Sequence, residues 1–279
     1  REYWLRGDST ILKNTLSLPK IKRFLNKWFT IPQIYFIERR AMQMCKKIVV
    51  LCNHMRKEIC DYYHFKDDKI VVIPPGVDLV RYEPRTRDSE LLSEFKIPHE
   101  AKVVLTVCRL SPEKNISYLI DAFAKIKMKD VFLVVVGDGL ERPKLEKLVD
   151  KKKLQRRVRF SGFRQDVERF YSIADVFVLP SEYEPFGQVL LEAMASGAPC
   201  IGLRSDYPNI QVATEELIDD GQIGYIADPY SVNNLTEKIE KILLDPKVKV
   251  LMGEKARLKC IKNYSWRITV NKLLELTGI

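Results

Sequence analysis

The stretch Val176-Phe-Val-Leu-Pro-Ser-Glu-Tyr-Glu184-Pro-Phe-Gly-Gln-Val-Leu-Leu-Glu192-Ala-Met-Ala-Ser-Gly197-Ala-Pro-Cys-Ile-Gly202 reads as strand, polar crossing, apolar helix and second strand. A four-residue apolar run stopped by Pro180 suits a strand buried on both faces, as parallel strands are. In the crossing, Glu184 fits a helix cap, Pro185 the first helical position and Gly197 the helix end. Strand, crossover helix and strand together make the repeating unit of a parallel sheet.

The same alternation extends in both directions. Further strands are expected at Ile48 to Leu51, Ile70 to Ile73, Val103 to Val107, Val131 to Val136, Val158 to Phe160, Pro199 to Gly202 and Gly224 to Ala227. Amphipathic segments near 36–45, 53–63, 115–127, 141–152, 166–174, 187–196, 231–244 and 246–262 supply the helices between them. The expectation is an α/β protein with a Rossmann-like, doubly wound parallel sheet over residues 66–263. Pro74-Pro75-Gly76-Val77-Asp78 forms a stiff corner at its entrance, and residues 61–69 and 83–94 read as surface loops.

Composition bounds what this sheet serves. The chain has 279 residues, 46% of them hydrophobic, enough to bury a core. Six cysteines form no C-x-x-C pair, so reduced thiols are expected, with neither a disulfide framework nor a zinc site. No apolar run is long enough to span a bilayer, and no signal peptide opens the chain, so a cytoplasmic setting is expected. The first residue is Arg1, which points to a piece of a longer protein. Of the formal charge of +10, residues 1–60 contribute +9 through 13 Lys/Arg against 4 Asp/Glu. Cations interleave with Phe24, Leu25, Trp28 and Phe29, which suits either an interfacial helix on anionic lipid, peripheral at the cytoplasmic membrane, or a solvated basic face. No nucleic-acid motif accompanies the charge, and none of the three histidines has metal-ligand spacing. G-x-G-x-x-G, G-x-S-x-G and P-loop signatures are absent.

Open parallel sheets bind ligands beyond the carboxyl ends of their strands, so the informative residues follow each run. Arg109 and Lys114 come after the Val103 strand and bracket a turn entering a helix, where two cations and free amides suit a diphosphate. Glu184 and Glu192 lie eight positions apart, a helical rise of about 12 Å, too far for the close carboxylate pair of a glycoside hydrolase. They read as separate anchors, Glu192 for a ribose diol and Glu184 for a sugar, with the Phe186 and Gly187 amides beside it. Glu192 sits in an otherwise apolar helix and requires a partner. Gly137 and Asp138, ordinary turn residues by themselves, and Gln188 after Gly187 complete the strand-end positions expected to meet the donor.

At these residues the chain resembles the family-4 retaining glycosyltransferases of the GT-B fold, from about Arg39 to Trp266. The family's E-x7-E motif matches Glu184 to Glu192, its G-R-L-x-x-x-K-G loop Cys108 to Asn115, and its P-x-G-V-D turn Pro74 to Asp78. Cys108 and Asn115 replace two usual glycines, and Ser205 to Asn209 replaces the common G-G-x-P-E segment. The resemblance implies that Arg109 and Lys114 bind the donor diphosphate, that Glu192 binds the ribose, and that Glu184 with Phe186-Gly187 contacts the sugar. It further implies that Gly162-Phe163-Arg164 lines the base. By the same likeness, residues 1–65 are a remnant of an N-terminal acceptor domain and 264–279 a helix crossing back to it.

The expected activity is metal-independent, retaining transfer of a hexose-type sugar from a nucleoside diphosphate sugar to a glycan or lipid-linked acceptor in cell-surface polysaccharide synthesis, with no cofactor and no nucleic acid. A GT-B sugar-nucleotide epimerase or hydrolase, and a non-catalytic donor-binding module, are the alternatives.

Overall fold

The computed structural model describes residues 33–278. Residues 33–44 are helical (α1), followed by β1 Ile48–Val50, α2 Asn53–Tyr63, β2 Ile70–Val72, α3 Ser89–Glu94, β3 Lys102–Val107 and α4 Ile116–Phe123. Then come β4 Val131–Val136, α5 Arg142–Lys151, β5 Val158–Gly162, α6 Val167–Ile173, β6 Val176–Leu179, β7 Tyr183–Glu184 and α7 Gln188–Ala195. The chain closes with β8 Cys200–Leu203, β9 Gln211–Val212, α8 Thr214–Leu217, β10 Gly224–Ala227, α9 Val232–Leu244, α10 Pro246–Asn263 and α11 Trp266–Thr277.

Six strands form one fully parallel sheet in the order β10-β8-β6-β3-β4-β5. The middle strands are runs of Val, Leu, Ile and Phe with almost no exposure, because helices cover both faces. From β3 the chain winds outward through β4 to β5, then returns across the sheet to β6 and winds the other way through β8 to β10. The order therefore reverses between β3 and β6, which lie side by side with Leu105 opposite Phe177. Doubly wound sheets place their ligands in the crevice outside the carboxyl ends of the strands at such a switch point. The α/β, Rossmann-like architecture expected from the alternation is present.

Sheet and helices are pinned by a buried carboxylate. Asp175, 3% exposed, precedes β6 and accepts from the Val103 amide (2.8 Å), from Lys249 of α10 (2.5 Å) and from Arg87 (3.3 Å). Helix starts follow ordinary capping: Asp88 accepts from Leu91 N, and Asp245 from Lys247 N and Val248 N. Asp245→Ala is expected to lower stability by about 1 kcal/mol, read as a shift in the urea midpoint at unchanged slope.

Two expectations are corrected. Residues 83–94 are not all loop, since Ser89–Glu94 is helical and buries Leu91 and Leu92 completely. The Ile70 run does not join the large sheet; Ile70–Val72 pairs in parallel with Ile48–Val50 as a separate two-stranded sheet. The described residues divide accordingly into two compact units, 33–50 with Met55–Val72, and Leu51–His54 with Ile73 onward. In the smaller unit Tyr35 stacks on Tyr63 at 5.3 Å, and Arg56 pairs with Asp67. The basic-aromatic stretch from Leu16 to Phe29 lies outside the described residues. Among those described, no helix is long and apolar enough to cross a membrane.

Candidate functional site

The loop after β3 is held by backbone rather than side chains. Cys108 N donates to Val136 O, Leu110 N to Asp138 O and Glu141 N to Leu110 O, so the loops leaving β3 and β4 lie against each other. Gly137 makes this approach possible: its φ is +124°, and a Cβ there would fall onto the Cys108 carbonyl. Leu110 plugs the core beneath, and a 3-10 turn over Pro112–Lys114 leads into α4. Asn115 closes that turn in the left-handed region at φ +49°, one of few residues other than glycine that settle there. Its backbone role explains how it stands where the resembled family has glycine. The other departure, Cys108, is chemically quiet, since burial pushes its thiol up to about 12.

Opposite this loop, the chain leaving β6 does not start a helix at Pro185. Tyr183–Glu184 instead pairs with Gln211–Val212 as a two-stranded sheet, and α7 begins at Gln188 with Gly187 as its cap at φ +93°. Only Gln188 to Glu192 of the motif is helical, a rise of about 6 Å, so the expected cap at Glu184 and the 12 Å spacing are both withdrawn. Gly197 does follow the helix end. Glu182 N donates to Glu113 O at 2.9 Å, which draws β7 onto the β3 loop. The result is a direct ion pair between Lys114 Nζ and Glu184 Oε2 at 2.7 Å, both side chains less than one-fifth exposed.

Arg109 stands at the open edge of the same loop, 74% exposed, with Glu113 at 3.0 Å. Burial works against the Glu113 carboxylate, but bonds from Ser111 and Arg109 outweigh it and hold its pKa below the ordinary value. Cap position Gly187 offers no side chain to the first amides of α7. A helix start with two cations on the facing β3 loop favours an anion there.

Glu192 has the partner its apolar surroundings demand. The Tyr171 hydroxyl donates to Glu192 Oε2 at 2.9 Å, and the Tyr82 hydroxyl and Arg81 approach the same carboxylate. Burial raises the Glu192 pKa above the usual carboxylate value, while Tyr171, Tyr82 and Arg81 pull it back. Neither tyrosine was expected at the site from sequence. The signal was present in Phe170-Tyr171, a tyrosine beside apolar residues of a crossover helix, whose hydroxyl needs a partner once buried.

The remaining candidates divide by how their polar groups are spent. Asp138 caps Gly139 N (2.7 Å) and pairs with Arg142 (2.9 Å), and Gly162 O accepts from Gly137 N. Phe163 beside them is 75% exposed, an open aromatic face. Arg164 lies over the Phe170 ring and is bound to Asp166 and Glu94, which raise its pKa. Gln188 donates to Gly76 O at 3.0 Å, and Phe186, 5% exposed, packs edge-on against Tyr264.

A family model described as "Glycosyl transferases group 1" matches residues 88–259, and one described as "Glycosyltransferase Family 4" matches residues 16–81. The chain is 31% identical over 66% of its length to the lipopolysaccharide core biosynthesis glycosyltransferase LpsE of Rhizobium meliloti, of which it covers 52%. It is 32% identical over 86% of its length to a D-inositol 3-phosphate glycosyltransferase of Corynebacterium urealyticum, of which it covers 60%. It thus spans little more than half the length of these curated relatives. The solved sucrose-phosphate synthase of Thermosynechococcus elongatus shares its fold at a TM-score of 0.77 and 26% identity, covering 88% of this chain and 60% of that one. With its parallel sheet reversing in strand order between β3 and β6 and a family match over residues 88–259, the chain belongs to the group 1 glycosyl transferases.

Proposed function

We propose that the crevice is the donor site of a retaining glycosyltransferase, binding a nucleoside diphosphate sugar and passing the sugar to a glycan or lipid-linked acceptor. The observation that carries this reading is the Lys114–Glu184 pair at the switch point, beside exposed Arg109 and an uncapped helix start. An ammonium has three N–H donors. One is spent on Glu184, leaving two for diphosphate oxygens, so Lys114 joins the charge-binding and sugar-binding halves of the site. Arg109 adds a planar fork from the open side, and Glu192 offers its carboxylate to the ribose diol. Phe163 supplies an open ring on which a base can stack. The relative named for lipopolysaccharide core biosynthesis supports a glycan acceptor.

In the transfer, the bond from the sugar's anomeric carbon to the diphosphate breaks, and its electron pair leaves with the phosphate oxygen. The acceptor hydroxyl adds on the same face and gives its proton to that departing oxygen, so the anomeric configuration is kept. Lys114, Arg109 and the start of α7 hold the growing negative charge, a stabilisation that is strongest in the transition state. Calorimetric titration with a panel of nucleoside diphosphates tests the site. Arg109→Ala and Glu192→Ala are each expected to weaken the best ligand about tenfold. Unchanged affinity in both would remove these residues from the site.

A further inference from the structure

Glu192 is held by residues outside every motif noted in the sequence. Tyr171 Oη lies 2.9 Å from its carboxylate and belongs to a side chain only 2% exposed on α6. The Tyr82 ring packs edge-on against Tyr171 at 5.8 Å and brings its hydroxyl to the same carboxylate. Tyr82 cannot wander, because Arg257 of α10 donates to the carbonyls of Tyr82 (2.9 Å), Leu79 (2.9 Å) and Ala195 (2.8 Å), locking the 79–82 loop to the end of α7. Burial pushes the Tyr82 hydroxyl up to about 12 and the Tyr171 hydroxyl well above its ordinary value, so both stay protonated and can only donate when they meet a carboxylate.

We infer that Tyr171 and Tyr82 are positioning residues that fix the Glu192 carboxylate, its ionisation and its free oxygen face, for a ribose diol. The inference rests on the assignment of Glu192 to the ribose. A carboxylate has about four lone-pair positions. The tyrosine hydroxyls take up two of these, which leaves others for a ligand, and a pre-set acceptor discriminates a hydroxyl from its absence better than a mobile one. The charged groups facing Glu192 are Arg81, which favours its ionised form, and Glu168, which opposes it but is itself paired with Arg81 at 2.9 Å. Removal of the Tyr171 hydroxyl deletes a bond to the ionised form, so the Glu192 pKa rises further.

The test is the affinity of nucleoside diphosphates and their 2′-deoxy counterparts for the wild type, Tyr171→Phe and Tyr82→Phe, followed from the acid limit of stability up to neutral pH. Wild type is expected to prefer the ribonucleotide about tenfold. Tyr171→Phe should lose most of that preference, with a deficit that is larger at the acid end and shrinks as pH rises. Equal preference and an unchanged pH profile in both phenylalanine variants would overturn the positioning role. A wild type that binds ribo and deoxy forms alike would instead overturn the ribose assignment of Glu192, and this inference with it. Should Tyr171→Phe fold poorly, Tyr82→Phe, which lies nearer the surface, decides the same question.

Discussion

Lys114→Ala is expected to weaken nucleoside diphosphate binding about a hundredfold, a loss near 2.7 kcal/mol and the largest of any single change in the crevice. Three effects add in the same direction. The charge-assisted bonds to phosphate vanish, at about 1.5–3 kcal/mol. Glu184, less than one-fifth exposed and held at 2.7 Å by Lys114, is left without its cation. Its negative charge then faces the position assigned to the diphosphate. The last two effects can be separated from the first. Adding Glu184→Gln to Lys114→Ala removes the stranded charge and should recover part of the lost affinity, whereas two independent losses would simply accumulate. Lys114→Arg should not restore binding, because a planar fork cannot occupy the short span of the Glu184 pair while turning two donors elsewhere. Titration calorimetry measures all three variants, and Lys114→Ala binding within threefold of wild type would contradict the assignment.

The second large effect concerns stability. Asp175→Ala is expected to cost about 3–5 kcal/mol, lowering the melting temperature by roughly 10 °C. This carboxylate satisfies the Val103 amide at the start of β3 and neutralises Lys249 and Arg87, while Asp175 N donates back to Val103 O. Without it the buried Val103 amide loses its acceptor and Lys249 and Arg87 lose a shared carboxylate at once, while the backbone tie between β6 and β3 remains. Asp175→Asn keeps an acceptor for Val103 but no charge, so it should fall between alanine and wild type. Urea unfolding at constant slope checks both. An alanine variant as stable as wild type would mean that the charges are solvated rather than pinned.

Where local chemistry dominates, the sequence already spelled the fold. Val131–Val136 is six consecutive apolar residues with four valines, and no helix surface would present them, so strand and bounds both emerge directly. The crevice follows from the same reading, since in a parallel sheet all strand ends share one edge, and Arg109, Lys114 and Glu184 sit just beyond β3 and β6. What stayed hidden depends on partners distant in the chain. Pro185 looks like a helix start, yet pairing with Gln211–Val212 draws Tyr183–Glu184 into a strand and delays α7 to Gln188. Ile70–Val72 looks like any core strand, and only its partner Ile48–Val50 assigns it to the smaller unit. The tyrosines at Glu192 were obscured likewise. Tyr82 stands just before the charged 83–94 stretch, and its backbone is fixed by Arg257 of α10 from far along the chain.

The central claim is that one crevice holds diphosphate, ribose and sugar on separate side chains. It is tested most directly by the crystal structure of the chain soaked with a nucleoside diphosphate sugar. The account predicts the diphosphate within hydrogen-bond distance of Lys114 Nζ and the Arg109 guanidinium at the start of α7. It also predicts the ribose hydroxyls on the Glu192 face opposite Tyr171, and the sugar against Glu184. A nucleotide bound elsewhere on the chain, or bound here with Glu192 turned away from its ribose, would contradict it.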